Sequence, residues 1–299
     1  MNYKKIIFLI LALILFRGSS EAQLKVTAAL AGNKIDIMVD GVLFTSYIMS
    51  EFEKYPFFFP VNGPSGASIT SVRNSNYPHH SSLFFGCDKV NGGNFWQEGI
   101  DRGRIISLRA DIIESEGERA VIENECIWIR PGAESPVRDR RIITVFAPSP
   151  EKYIIDFDII MEMLSDVTIE KTNHSLFSCR MDPDLSVKGG GTIINDGGMT
   201  GEKGTFGKRS SWIDYHGERY GKTEGLAILQ HPSSKWYPAP WFTRDYGFMS
   251  PTPMYWPEND KELSFQKGEM IKLRYRVIAH SGDHLQAGIE EEFIKYKSE

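Results

Sequence analysis

Three segments carry side chains that could move protons or hold a polar ligand. The first is Tyr77-Pro78-His79-His80-Ser81-Ser82, followed shortly by Asn94-Phe95-Trp96. A proline fixes the frame before the histidine pair, and imidazole titrates near neutral pH. A general acid or base, a donor to substrate and a metal ligand are therefore all open to one of the two. On a strand, neighbouring side chains point to opposite faces, so one of His79 and His80 is expected at a given pocket. The bland alternative is a histidine that braces a loop. The second segment is Thr172-Asn173-His174-Ser175-Leu176-Phe177, with His174 among polar residues at the edge of an expected strand. The third runs from Gly189 to Arg244 and holds Lys208, Trp212, Asp214, Glu224, His231, Trp241 and Arg244. Aromatic rings interleaved with Lys, Arg, Asp and His suit a polar pocket with stacking walls. Arg244 could grip a carboxylate or vicinal hydroxyls with two N–H groups, or could simply tie loops to a sheet.

No segment specifies a cofactor. Gly189-Gly190-Gly191 lacks the following Lys-Ser/Thr of a phosphate loop. No Gly-x-Ser-x-Gly elbow occurs. The histidines fall at 79, 80, 174, 216, 231, 280 and 284. His280 and His284 are four apart, but Gly282 between them speaks against a helix carrying both, and no Cys-x-x-Cys or His-x-His occurs. A metal assembled from distant loops is the one cofactor left open.

The elements that must position these residues are strands. Lys34 to Val39, Asp40-Gly41 and Val42 to Tyr47 read as a hairpin with a tight Asp-Gly turn. Arg104 to Glu116 and Ala120 to Ile129 read as another, turning near Gly117. In Tyr153 to Met163, Ile155, Phe157, Ile159 and Met161 share one face while Asp156 and Asp158 take the other. Met270 to Ala279 alternates in the same way, and such strands bury one face and wet the other. No linker divides them. One all-β domain is expected, a large antiparallel two-sheet sandwich over residues 23–299. Irregular stretches are expected near 60–100, 181–224 and 231–260, and a short helix over Gln286 to Lys297.

Residues 1–22 read as a secretory signal peptide, with Lys4 and Lys5 before the apolar run Ile6 to Phe16 and small residues at Ser20 and Ala22. That run is about half of the ~20 residues a spanning helix needs. The expectation is a periplasmic or secreted protein, free of the membrane after cleavage. A net charge of −5 without a basic stripe argues against a nucleic-acid partner. Cys87, Cys126 and Cys179 form an odd, widely spaced set, which leaves either one bridge or buried free thiols open. Abundant Phe, Tyr and Trp in a β protein fit a carbohydrate ligand, whose apolar ring faces stack on aromatics, although most of these side chains serve the core.

Two resemblances sharpen the reading. Tyr55-Pro56-Phe57-Phe58-Phe59-Pro60-Val61, Pro78-His79-His80 and Asn94-Phe95-Trp96, with Gly207-Lys208-Arg209, Trp212-Ile213-Asp214-Tyr215, His231-Pro232 and Arg244-Asp245-Tyr246-Gly247, resemble the PmoA-like family of Bacteroidetes and Planctomycetes. Its methane-oxygenase-like label implies a metal-dependent oxidoreductase. Thr172 to Phe177 is similar to the Thr-Asn-His-x-Tyr-Phe strand of galactose mutarotases, and Gly225 to Pro232 and Leu263 to Val277 are similar to later mutarotase segments. This likeness implies a supersandwich presenting a sheet to a sugar, with His174 as the acid that protonates the ring oxygen. The sequence departs where a mutarotase carries its general base, because Ala227-Ile228-Leu229 stands there. Asp214 or Glu224 is then the candidate carboxylate.

The function expected is an exported carbohydrate-active protein working at a glycosidic or hemiacetal centre. His174 and His80 are its candidate catalytic groups beside Asp214 and Glu224. His79, Lys208, Trp212, His231, Trp241 and Arg244 are expected to line the pocket. The alternatives are a non-catalytic carbohydrate-binding sandwich and the metal-dependent oxidoreductase.

Overall fold

The computed structural model describes residues 23–299, so the expected signal peptide lies outside the described residues. Two antiparallel sheets pack face to face. One has nine strands, in the order Trp241–Arg244, Phe248–Pro251, Ser175–Arg180, Leu83–Cys87, Phe57–Val61, Val42–Ile48, Lys34–Val39, Val26–Ala31 and Glu116–Gly117. The other has eight, in the order Thr192–Asn195, Trp212–Arg219, Lys222–Gln230, Met270–Ser281, Lys152–Met163, Val137–Ser149, Arg119–Ile129 and Arg104–Glu114. The expected all-β sandwich is therefore what the chain forms. Among the described residues, no helix is long and apolar enough to cross a membrane.

Alternation decides which residues meet between the sheets. Ile155, Phe157, Ile159 and Met161 face inward. Phe157 meets Phe58, Phe85 and Phe177 of the nine-stranded sheet at ring distances of 5.8, 6.5 and 4.9 Å. The same interior holds a fully buried ion pair, Asp139 with Arg141. Burying two charges is tolerable only when every lone pair and N–H is occupied. Here Trp128 Nε1 donates to Asp139 Oδ2 at 2.7 Å, and Arg141 Nη1 donates to Tyr47 Oη at 3.2 Å. Cys87, Cys126 and Cys179 are buried and unbridged.

The hairpin at Asp40-Gly41 forms as expected, with φ of 46° and 79° at the two turn residues. The segment before the C-terminus is helical over Ile289–Tyr296. Ile289, Phe293 and Tyr296 lie on Ile154, Trp212, Ala227, Leu229 and Ile278, on the outer face of the eight-stranded sheet. The stretches expected to be irregular contain strands after all. One of them, Leu83–Cys87, is buried along its whole length, and the strand expected after His174 forms over Ser175–Arg180. A strand covered on both faces shows no alternation, which is why Leu83–Cys87 is not visible as a pattern.

Candidate functional site

The nine-stranded sheet has chemistry on its outer face. Phe85 and Phe177 point inward, so Phe84 points out, where it stacks on Tyr55 at 4.9 Å and meets Trp96 at 4.8 Å. A two-stranded ribbon, Val72–Asn74 with Tyr77–Ser81, lies against this face. Tyr55 Oη donates to the carbonyl of His79 at 2.8 Å and fixes the ribbon in place.

Both histidines of the ribbon join one cluster, which corrects the expectation that only one would. Their rings are 4.5 Å apart. The ribbon is irregular, with positive φ at Arg73 (50°) and Ser82 (60°) and a register shift between Val72 and Asn74, and such irregularity defeats simple alternation. His80 lies between the rings of Tyr77 at 5.1 Å and Phe248 at 4.6 Å. Its Nδ1 is buried without a hydrogen-bond partner. Burial, then the charges of His79 and Arg180, hold its pKa down at about 2, so its ring is neutral. His79 is half-buried, and burial with His174 nearby lowers its pKa as well.

His174 is positioned by register. Ser175 pairs with Cys87, so the residues just beyond each strand, His174 and Asp88, face one another. The Asp88 amide donates to the His174 carbonyl at 3.0 Å, and the His174 amide donates to Thr172 Oγ1 at 3.0 Å. Asp88 Oδ2 lies 3.1 Å from His174 Nδ1. The carboxylate is buried while the imidazole keeps a quarter of its side chain in solvent. A carboxylate on Nδ1 selects the tautomer and leaves Nε2 free to exchange a proton. The His79 ring is 5.9 Å away and the Trp96 ring 6.0 Å. Trp96 Nε1 and Asp88 Oδ1 are buried without partners.

Arg180 completes the cluster. It is 3% exposed, forms no ion pair among the described residues, and buries Nε and Nη1 without partners. Its guanidinium lies over Tyr246 at 4.6 Å and Tyr77 at 5.1 Å, two rings themselves stacked at 4.2 Å. Burial lowers its pKa.

The outer face of the eight-stranded sheet carries a second polar group. Trp212, Asp214 and His216 share that face of the strand Trp212–Arg219. Asp214 is fully buried. Its Oδ1 meets His216 Nδ1 at 2.5 Å and its Oδ2 meets His280 Nε2 at 2.7 Å. Burial pushes the Asp214 carboxyl up, but the two histidines outweigh it and hold it well below the usual carboxylate range. Gly225 pairs with His216 on one side and His280 on the other. A Cβ there would stand 2.6 Å from His280 Cε1, so this glycine makes room for the ring. His284, in the loop after the last strand, stacks on His216 at 5.5 Å and buries an unpartnered Nδ1. Donor atoms of Asp214, His216 and His284 all lie within 4.8 Å of one another, a spacing one ion can span.

The residues singled out in the sequence therefore do not converge. His79, His80 and His174 meet. Asp214 lies across the sandwich from them. Glu224 is buried, accepts from the Ser65 amide and Oγ at 2.7 Å each, and holds the loop at 63–66. Trp241 is a core residue whose Nε1 donates to the Ser210 carbonyl. Trp212 donates to Glu290 beneath the C-terminal helix. His231 is occupied by Ser233 and Arg274. Arg244 pairs with Glu202 and lies over Phe242 at 4.0 Å, tying loops together. Lys208 is exposed at the rim. A groove of about 520 Å³ elsewhere, lined among others by Arg209, Trp236, Trp256 and Glu258, contains no histidine. Sequence reasoning missed Asp88 and Arg180, and it quoted Tyr246 without giving it a role of its own. It also missed His216, although Asp-x-His on a strand is a legible same-face signal.

The family profile that matches covers residues 34–294. The chain belongs to DUF6807, a family of unknown function. No curated protein matches this DUF6807 chain. Among solved structures, one described as a polysaccharide lyase is similar at 12% identity, over 88% of this chain and 33% of that one, with a TM-score of 0.31. The chain thus spans about a third of that structure's length.

Proposed function

We propose that this DUF6807 chain is an exported carbohydrate-active protein whose site is the His79–His80–His174 cluster, and that its sugar is acidic. The observation that carries the reading is the juxtaposition of a buried, ion-pair-free Arg180 with the Asp88-supported His174. A buried guanidinium without a counter-ion is costly, and a carboxylate or sulfate on the ligand satisfies it bidentately. Tyr77 and Tyr246 are half-buried, and their exposed edges suit contact with a pyranose ring.

In the chemistry that fits, His174 Nε2 delivers a proton to the ring or glycosidic oxygen, and Asp88 stabilises the imidazolium before transfer. His79, kept neutral by its surroundings, takes the proton from the hydroxyl on the other side. For a hemiacetal this opens the ring with protons in balance, and reversal closes it. His79 thereby fills the place of the carboxylate base that Asp214 and Glu224 are too distant to supply. The trapped orientation of His80 makes it a wall rather than a proton carrier.

The test is a panel of uronate-bearing, sulfated and neutral oligosaccharides, followed by calorimetry and by mass spectrometry of products. Binding of acidic members with conversion by wild type and none by His174→Ala is expected. Equal conversion by the variant sinks the catalytic reading. Binding without any product favours the non-catalytic sandwich, a reading supported by the position of Asp214 and Glu224 away from His174.

A further inference from the structure

We infer that Asp214, His216 and His284 form a binding site for one divalent first-row metal ion, which fastens the C-terminal segment to the eight-stranded sheet. Two imidazoles and one carboxylate are a donor set for Zn²⁺ and its neighbours, with room for a further ligand. Three features distinguish the group from an ordinary buried Asp–His pair. A nitrogen of His284 lies beside the other two donors, and the buried Nδ1 of that ring bonds to nothing. The Asp214 carboxylate is fully buried, and a buried carboxylate calls for a positive partner. His280 Nε2 occupies the second carboxylate oxygen at 2.7 Å, as groups that orient metal-binding carboxylates do.

The fold supplies the positioning. Asp214 and His216 come from one rigid strand, and the side-chain-free Gly225 lets His280 reach the carboxylate. His284 comes from the loop that leads into the helix Ile289–Tyr296, so an ion bound to all three closes that loop onto the sheet. An open groove of about 430 Å³, lined by Trp212, His284, Glu290, Glu291 and Asp196, gives an acidic entry path. The site lies on the opposite side of the sandwich from the proposed sugar site and does not depend on it.

The experiment uses the full chain purified without a polyhistidine tag and stripped with EDTA. Zn²⁺ is titrated by calorimetry and Co²⁺ by its visible absorption. The expected result is one equivalent of metal, a raised Tm in the loaded protein, and cobalt bands typical of nitrogen–oxygen coordination. His284→Ala, at a partly exposed loop position, should weaken Zn²⁺ at least a hundredfold while keeping the metal-free Tm. His280→Gln should weaken it about ten- to a hundredfold by loosening Asp214. No saturable metal binding by the wild type, or unchanged affinity in His284→Ala, overturns the inference.

Discussion

The two outer faces of the sandwich hold similar residue types in opposite states. On the nine-stranded sheet, His80 Nδ1, Trp96 Nε1, Asp88 Oδ1 and two nitrogens of Arg180 are buried without partners. On the eight-stranded sheet, Asp214 is satisfied on both oxygens, and only His284 Nδ1 stands unpartnered in its cluster. Unsatisfied buried polar groups cost stability, and folds keep them where a ligand will satisfy them. Under the proposed function, the first face receives a ligand from outside. The second is closed around an anion and built to hold the chain together. Histidine content alone does not separate the two clusters, whereas the hydrogen bonds within each do.

The comparison breaks most visibly at its two anchors. His174→Ala should lower turnover of an acidic sugar by about 10²–10⁴-fold, the usual worth of a positioned acid or base. Its melting temperature should fall only modestly, because the ring is partly exposed and its one side-chain bond is to Asp88. Asp214→Ala should do the reverse. It leaves His280 buried without its partner, which costs about 3–5 kcal/mol in a urea titration, with sugar binding intact. Arg180→Met should keep or slightly raise stability by removing an uncompensated buried charge. It should also cost about 1.5–3 kcal/mol of affinity for an acidic glycan and little for a neutral one.

The smallest effect is a pH slope. The folded pKa of His80 lies below its unfolded value, so the contribution of the neutral ring is present above about 6.5. It is lost as pH falls from there toward the folded value, at up to about 1.4 kcal/mol per pH unit. Burial is the largest cause of this shift, and the charges of His79, Arg180 and His174 add to it. His80→Phe should flatten the acid limb of the stability profile relative to wild type, measured by chemical denaturation between pH 7 and 5. Parallel limbs would mean that His80 is not held neutral.

How much of this was legible follows from range. The alternating strands over 152–163 and 270–281 and the Asp-Gly hairpin are local patterns, and the chain forms them as read. Strand Leu83–Cys87 has no pattern because both faces are buried, and with it the register that sets Asp88 against His174 is invisible. His174 itself was marked by its likeness to a mutarotase strand, but its partner comes from 86 residues away. Arg180 sits in a fully buried strand where an arginine reads as an anomaly rather than a site. The run from Lys208 to Arg244 looked like one pocket because its residues are close in sequence. A strand that sends Trp212 and Asp214 to one face and Tyr215 to the other disperses them.

The most direct test of the account is calorimetric titration of an oligouronate and its neutral counterpart into wild type and Arg180→Met at one ionic strength. The account predicts that wild type prefers the oligouronate by at least about tenfold, and that the variant loses the preference while staying folded. Equal affinity of wild type for both sugars, or an undiminished preference in the variant, would contradict it.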